Sequence, residues 1–208
     1  MCYDTKINFW NYLYSYQKGI KAYNYIVKSG KLNEIKINIA ENNRFYKSID
    51  GVLFNYAQTE LIRYPIGRQA KDYTIPAGVT GIKDYSFGYC SNLASLIIPS
   101  SVTSIEEWVF YCCSSLSSVT IQSSDIDIGY SAFRSCSLAS VTIQASDTNI
   151  NDEAFELCHD LTQAVFTDNA PAGFGTNVFN NCADSFAIHA PKDNTTWTSS
   201  EYYDSAAQ

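Results

Sequence analysis

Five phenylalanines, Phe87, Phe110, Phe133, Phe155 and Phe179, recur at steps of 23, 23, 22 and 24 residues, and each is followed three residues later by a cysteine: Cys90, Cys113, Cys136, Cys158 and Cys182. A period in the twenties belongs to stacked coils rather than to a globule folded about one centre. Other columns keep the same step. Ile82, Ile105, Ile128, Ile150 and Phe174 lie five residues before the ladder Phe, and Ser86, Val109, Ala132, Ala154 and Val178 lie directly before it. Leu93, Leu116, Leu138 and Leu161 follow the Cys, and Ile98, Ile121, Ile143 and Phe166 close each unit. One such unit has no closed core; it buries its apolar residues only against its neighbours.

Within each unit, Leu96 to Ile98, Val119 to Ile121, Val141 to Ile143 and Val165-Phe166 have strand character. Stacking one per unit gives a parallel sheet with strands about 4.8 Å apart. An extended stretch then carries the Ile column, and a short helical turn is expected to hold the Phe and Cys. Crossovers between parallel strands are overwhelmingly right-handed. The expected fold class is therefore α/β, a right-handed solenoid with a parallel β-sheet and short helical turns.

The ends depart from the period. Phe9, Leu13, Tyr16, Ile20, Tyr23 and Val27 recur at steps of three and four, one face of a helix, and Gly30 supplies a stop. Residues 1–31 are read as an N-terminal capping helix. Residues 32–74 are read as an irregular first repeat, with a first strand over Glu34 to Ala40 and an inserted β-hairpin from Gly51 to Tyr56 and Glu60 to Tyr64. The regular repeats are placed at 75–190, and 191–208 is a C-terminal cap or tail.

Charge divides the chain. Residues 1–72 carry a balance of +5 and residues 73–208 one of −12, giving the net −7. The acidic repeats repel phosphate backbones, so nucleic acid is not an expected partner. No run approaches the roughly 18 apolar residues of a membrane helix, so no membrane insertion is expected. Met1 to Ile26 is broken by Asp4, Lys6, Asn11, Gln17, Lys18 and Lys21 and does not read as an export leader, which leaves the location open.

The cysteines invite a disulfide reading, but five of the seven share one repeat column pointing into the same interior, where a free thiol behaves as a small hydrophobe. Single cysteines 22 to 24 apart lack the paired spacing of structural zinc. Asp125, Asp127, Asp147 and Asn149 fall on neighbouring units, where capping of turns competes with calcium binding; the nine-residue calcium-solenoid pattern is absent. No metal or cofactor is expected. His159 and His189 belong to no recognised nucleophile or zinc motif, and Pro171 to Gly175 is too poor in glycine for a phosphate loop. No catalytic residues are assigned, and the chain is read as not an enzyme.

The segment from Ile98-Pro99-Ser100-Ser101-Val102-Thr103-Ser104-Ile105 through Phe110, Cys113 and Leu116 to Val119-Thr120-Ile121 resembles the BspA-like class of leucine-rich repeat. Tyr46 to Phe54 followed by Leu61 to Pro65 resembles the hairpin inserted in that family. The likeness covers roughly residues 32 to 190; Gln122 and Gln144 depart from it where Pro follows the strand. It implies a leucine-rich-repeat solenoid with a non-enzymatic binding role, in a family that commonly serves as surface or adhesion proteins.

Two surfaces are candidate partner sites. If Leu96 and Ile98 point inward, the outward sheet face carries Ser95, Ile97, Ser118, Thr120, Ser140, Thr142, Gln163 and Val165, a neutral and hydroxyl-rich set. Tyr85 and Trp108, one repeat apart, form a candidate aromatic pair. The plainer alternatives are solvated strand residues in the first case and packing over adjacent turns in the second. The functional reading is a binding or adhesion module for a protein or glycan partner. The alternatives are an intracellular scaffold or self-assembling subunit, in which the basic N-terminal region of one copy docks on the acidic repeats of another, and an accessory domain of an enzyme.

Overall fold

The computed structural model describes residues 36–144, 148–192 and 195–197. The capping helix read over residues 1–31 lies outside them. Each regular coil has three sides: a wide strand, a narrow two-residue strand and a run of turns.

The wide strands are β4 (Asp72–Thr74), β6 (Ser95–Ile98), β8 (Ser118–Ile121), β10 (Ser140–Ile143), β12 (Gln163–Phe166) and β14 (Ala187–His189). The narrow ones are β5 (Gly81–Ile82), β7 (Ser104–Ile105), β9 (Asp127–Ile128), β11 (Asn149–Ile150) and β13 (Gly173–Phe174). Except between β8 and β10, each pairs in parallel with the equivalent strand of the next coil, in the register of the repeat: Leu96 faces Val119, Ile105 faces Ile128, and Val141 faces Ala164. The result is a parallel-sheet solenoid of about six turns.

The hairpin region forms β1 (Tyr46–Ile49), β2 (Val52–Asn55) and β3 (Glu60–Arg63), paired antiparallel. β3 then runs parallel to β5, so these three strands extend the narrow sheet to eight strands. The strand expected over Glu34 to Ala40 is not formed in its described part. Residues 36–40 make no ladder; Ile37 donates its N–H to Gly51 O at 2.8 Å, and β4 opens the wide sheet. Gly51 sits at φ 80°, and a Cβ there would lie 2.9 Å from the Lys36 side chain, which is why the hairpin turn carries glycine.

The core is a column of rings. Successive centroids from Phe87 to Phe179 are 5.0, 4.7, 5.0 and 5.3 Å apart, and every ring is buried. Tyr64 continues the column one coil earlier, stacked on Phe87 at 5.0 Å. Its place 23 residues before Phe87 was available in the sequence, but the substituted ring and the hairpin's broken period hid it. At the other end Trp197 packs on Phe166 and donates its indole N–H to Asp168 O, folding part of the tail back onto the last coils.

The turns carrying Phe and Cys are not helical: among the described residues there is no helix. In each coil the residues two before and two after the Phe have positive φ: Tyr85 and Tyr89, Trp108 and Cys112, Ser131 and Ser135, Glu153 and Leu157, Asn177 and Asn181. The N–H groups of Tyr85, Phe87 and Tyr89 reach across to carbonyls of Glu107, Val109 and Tyr111, while those of Ser86, Gly88 and Cys90 close turns to the residue three before. A helix sends every N–H to the carbonyl four residues back along its own chain. Here alternate N–H groups are spent on the stack, and left-handed residues make the alternation possible at about 1–2 kcal/mol each for non-glycine residues.

The five column cysteines are free thiols. Cys113, Cys136 and Cys158 each donate S–H to the ladder Phe carbonyl of the preceding coil at 3.1 Å, and Cys182 does so at 3.5 Å. Burial holds the Cys90, Cys136 and Cys158 thiols well above their ordinary range and pushes the less buried Cys182 up to about 12, so they serve as small packed donors rather than nucleophiles.

Candidate functional site

The wide sheet presents its outward residues in two columns, because strand side chains alternate faces. Leu96, Ile98, Val119, Ile121, Val141 and Ile143 are buried, leaving Ser118, Thr120, Ser140, Thr142 and Gln163 exposed and Ser95, Ile97 and Val165 half-buried. Register places Ser95 beside Ser118 and Ile97 beside Thr120, then Ser140 beside Gln163 and Thr142 beside Val165. The wide sheet is nevertheless two three-stranded ladders, interrupted between β8 and β10 where the step shortens to 22, while the narrow sheet runs through. The eight residues therefore fall into two groups of four. The columns also reach further than the repeat alone suggests, to Asp72 and Thr74 on β4 and to Ala187 and His189 on β14, all exposed.

The rings of Tyr85 and Trp108 are in contact and belong to a cluster larger than two residues. Tyr85 and Trp108 stack with planes 2° apart at 5.9 Å, and the edges of Tyr111 and Tyr130 meet Trp108 at 5.0 and 5.1 Å. Tyr89 meets Tyr111 at 5.6 Å. Burial raises the Tyr85 hydroxyl to about 12, with the neighbouring phenols adding. Tyr130 reaches the polar side of the same turns, donating to Glu153 at 3.0 Å; Arg134 pairs with both Glu153 and Glu156.

Beside Tyr130 runs an open groove of about 680 Å³, lined by Asp84, Glu106, Glu107, Asp127 and Asp152 with Ile105 and Gly129 among its lining. Burial raises the Asp84 carboxyl to about 6, with Glu106 contributing, although it accepts the Glu107 N–H at 3.0 Å. Asp127 accepts from Asn149 at 2.6 Å across the coils, a ladder contact in place of a calcium cage. Among the described residues no group of three His, Cys, Asp or Glu is placed to hold a metal ion. Among the described residues there is no helix long and apolar enough to cross a membrane.

Parallel strands stacked coil upon coil over a continuous ring column define a repeat solenoid. The BspA type leucine rich repeat region matches residues 80–207 in 6 copies, and the chain belongs to that family. A search of curated protein sequences returns no match. Among solved structures, the pneumococcal vaccine antigen PcpA is similar with 22% identity and a TM-score of 0.67 over 79% of this chain and 41% of its own. A leucine rich cell surface protein of Faecalibacterium prausnitzii is similar with 29% identity and a TM-score of 0.63 over 75% of this chain and 42% of its own. The chain thus spans about two-fifths of the length of these relatives.

Proposed function

We propose that this chain is a non-enzymatic recognition module of a cell-surface protein, binding a partner protein through the outward face of its wide sheet. The observation that carries the reading is the set of exposed residues Ser118 and Thr120 on one ladder and Ser140, Thr142 and Gln163 on the next, presented by strands whose alternate residues are all committed to the core. A rigid, neutral, hydroxyl-bearing face of this kind costs little conformational entropy on binding. Family membership and the surface-protein neighbour support the same reading. Tyr85 and Trp108 offer a second contact, since half-exposed aromatics are efficient interface anchors.

The test is binding of the full chain to a panel of purified extracellular-matrix proteins. Replacing Ile97, Thr120 and Thr142 together with Glu should weaken any captured partner by about tenfold or more while leaving circular dichroism unchanged, because three charges would be placed against a complementary surface. Undiminished capture by the triple variant would refute the sheet-face assignment. Self-association remains the second reading, favoured by the split of +5 and −12 between the two parts of the sequence. It requires oligomers in light scattering that dissolve as salt is raised.

A further inference from the structure

The turn side of the first three regular coils carries chemistry that the sheet face does not use. Trp108 lies at the centre of a shelf with Tyr85, Tyr111 and Tyr130, each ring partly exposed. The backbone does not ask for these rings: Tyr85 and Trp108 occupy the left-handed position that Ser131, Glu153 and Asn177 fill on later coils, and asparagine adopts that conformation far more readily than a bulky aromatic. Tyr130 joins the shelf to the groove, being at once a neighbour of Trp108 and part of the groove wall.

The charge around the shelf is predominantly negative, with Arg63 of β3 donating to the carbonyls of Tyr85 and Gly88. Residues 75–190 contain two cations, Lys83 and Arg134, against twelve carboxylates. Both cations are already engaged, Lys83 with Glu60 and Glu106, and Arg134 with Glu153 and Glu156. Glu107 and Asp127, both exposed at the groove, have no cation of the regular coils left to offset them.

We propose that the aromatic shelf and the groove beside it dock a segment of a partner protein rich in lysine and arginine. An ammonium or guanidinium group gains from an aromatic face and from the surrounding carboxylates together, and the acidic field raises its rate of encounter. The inference rests on the reading of the chain as a binding module, but not on the wide face being its contact surface.

The experiment measures a fluorescently labelled octalysine peptide titrated with the full chain at low and at physiological salt. Binding is expected at low salt and should weaken as salt rises. Trp108→Asn keeps the net charge and suits the left-handed backbone; it should weaken binding about tenfold, the scale of a partly desolvated cation–π contact. Glu107→Gln with Asp127→Asn should weaken it too, whereas Asp160→Asn with Asp184→Asn, an equal charge change on distant coils, should leave it unaltered. Spermine, which carries fewer ammonium groups than octalysine, should compete only in molar excess. No binding of octalysine, an unaffected Trp108→Asn variant, equal losses from the near and distant charge pairs, or full competition by equimolar spermine would each overturn the proposal. If octalysine stays free while the chain captures a matrix protein in a way the Ile97, Thr120 and Thr142 variant abolishes, this inference falls and the binding-module reading stands.

Discussion

The hairpin region from Lys36 to Thr74 and the regular coils from Ile75 to Ala190 solve the same burial problem by different means. In the hairpin, β1, β2 and β3 pair antiparallel through short turns, and the register is fixed locally: Ile49 faces Val52 across Asp50-Gly51. In the regular coils every pairing joins residues 22 to 24 apart, and a Phe or Cys is buried only because the next coil lies over it. Local pairing lets a segment tolerate a broken period, whereas stacked pairing demands that the period be kept. That contrast explains why the hairpin strands depart from the period while the regular coils repeat their Phe and Cys five times.

The contrast can be broken by truncating the column. Phe133 has a stacked ring on each side, at 4.7 and 5.0 Å, so Phe133→Ala should cost about 3 to 5 kcal/mol in urea denaturation. Phe179→Ala should cost less, since beyond it the regular ladder ends and Phe186 is the tilted neighbour. Equal losses at the two positions would show that stability does not come from two-sided stacking.

A smaller effect sharpens the role of close coil approach. A Cβ at Gly129 would lie 2.6 Å from the Glu106 backbone, whereas one at Gly78 would meet nothing within 4 Å. Gly129→Ala should therefore lower the unfolding midpoint by the equivalent of about 1 to 3 kcal/mol, the range of an overpacked site. Gly78→Ala should leave stability level or slightly raised. A harmless Gly129→Ala would mean that the coils are free to separate locally.

The smallest effect lies at the junction. Tyr64 begins the ring column, yet its hydroxyl is buried without a hydrogen-bond partner among the described residues. Tyr64→Phe keeps the stack and removes the orphan group, so it should be neutral or stabilising by up to about 1 kcal/mol. A clear loss in the melting temperature would reveal a partner for that oxygen and tie the hairpin more tightly to the coils than the ring stack alone does.

Much of the fold was written in spacing. The columns of Phe, Cys, Ile and Leu named the core residues, β2 and β3 were found within one residue at each end while β1 was not read as a strand, and the inward and outward alternation of the wide strands placed the sheet-face residues on one side. The helical turns were misjudged for a definite reason. A left-handed residue is legible when it is glycine, but here Tyr85, Trp108, Ser131, Glu153 and Leu157 take that conformation, driven by hydrogen bonds to a coil that is absent from the local sequence. The candidate site was legible as a pair, Tyr85 and Trp108, with Tyr89 and Tyr111 close in sequence; the ring of Tyr130 joined it only when the coils were laid side by side.

By itself the sequence determined that this protein stacks, and with what period, because burial of a residue repeated every 22 to 24 positions has one economical arrangement. Only the tertiary structure decided the path between the strands, the interruption of the wide sheet between β8 and β10, and the joining of an aromatic shelf to an acidic groove. Those features depend on which backbone groups of one coil find partners on the next, and that is a property of neighbours in space rather than of neighbours in the chain.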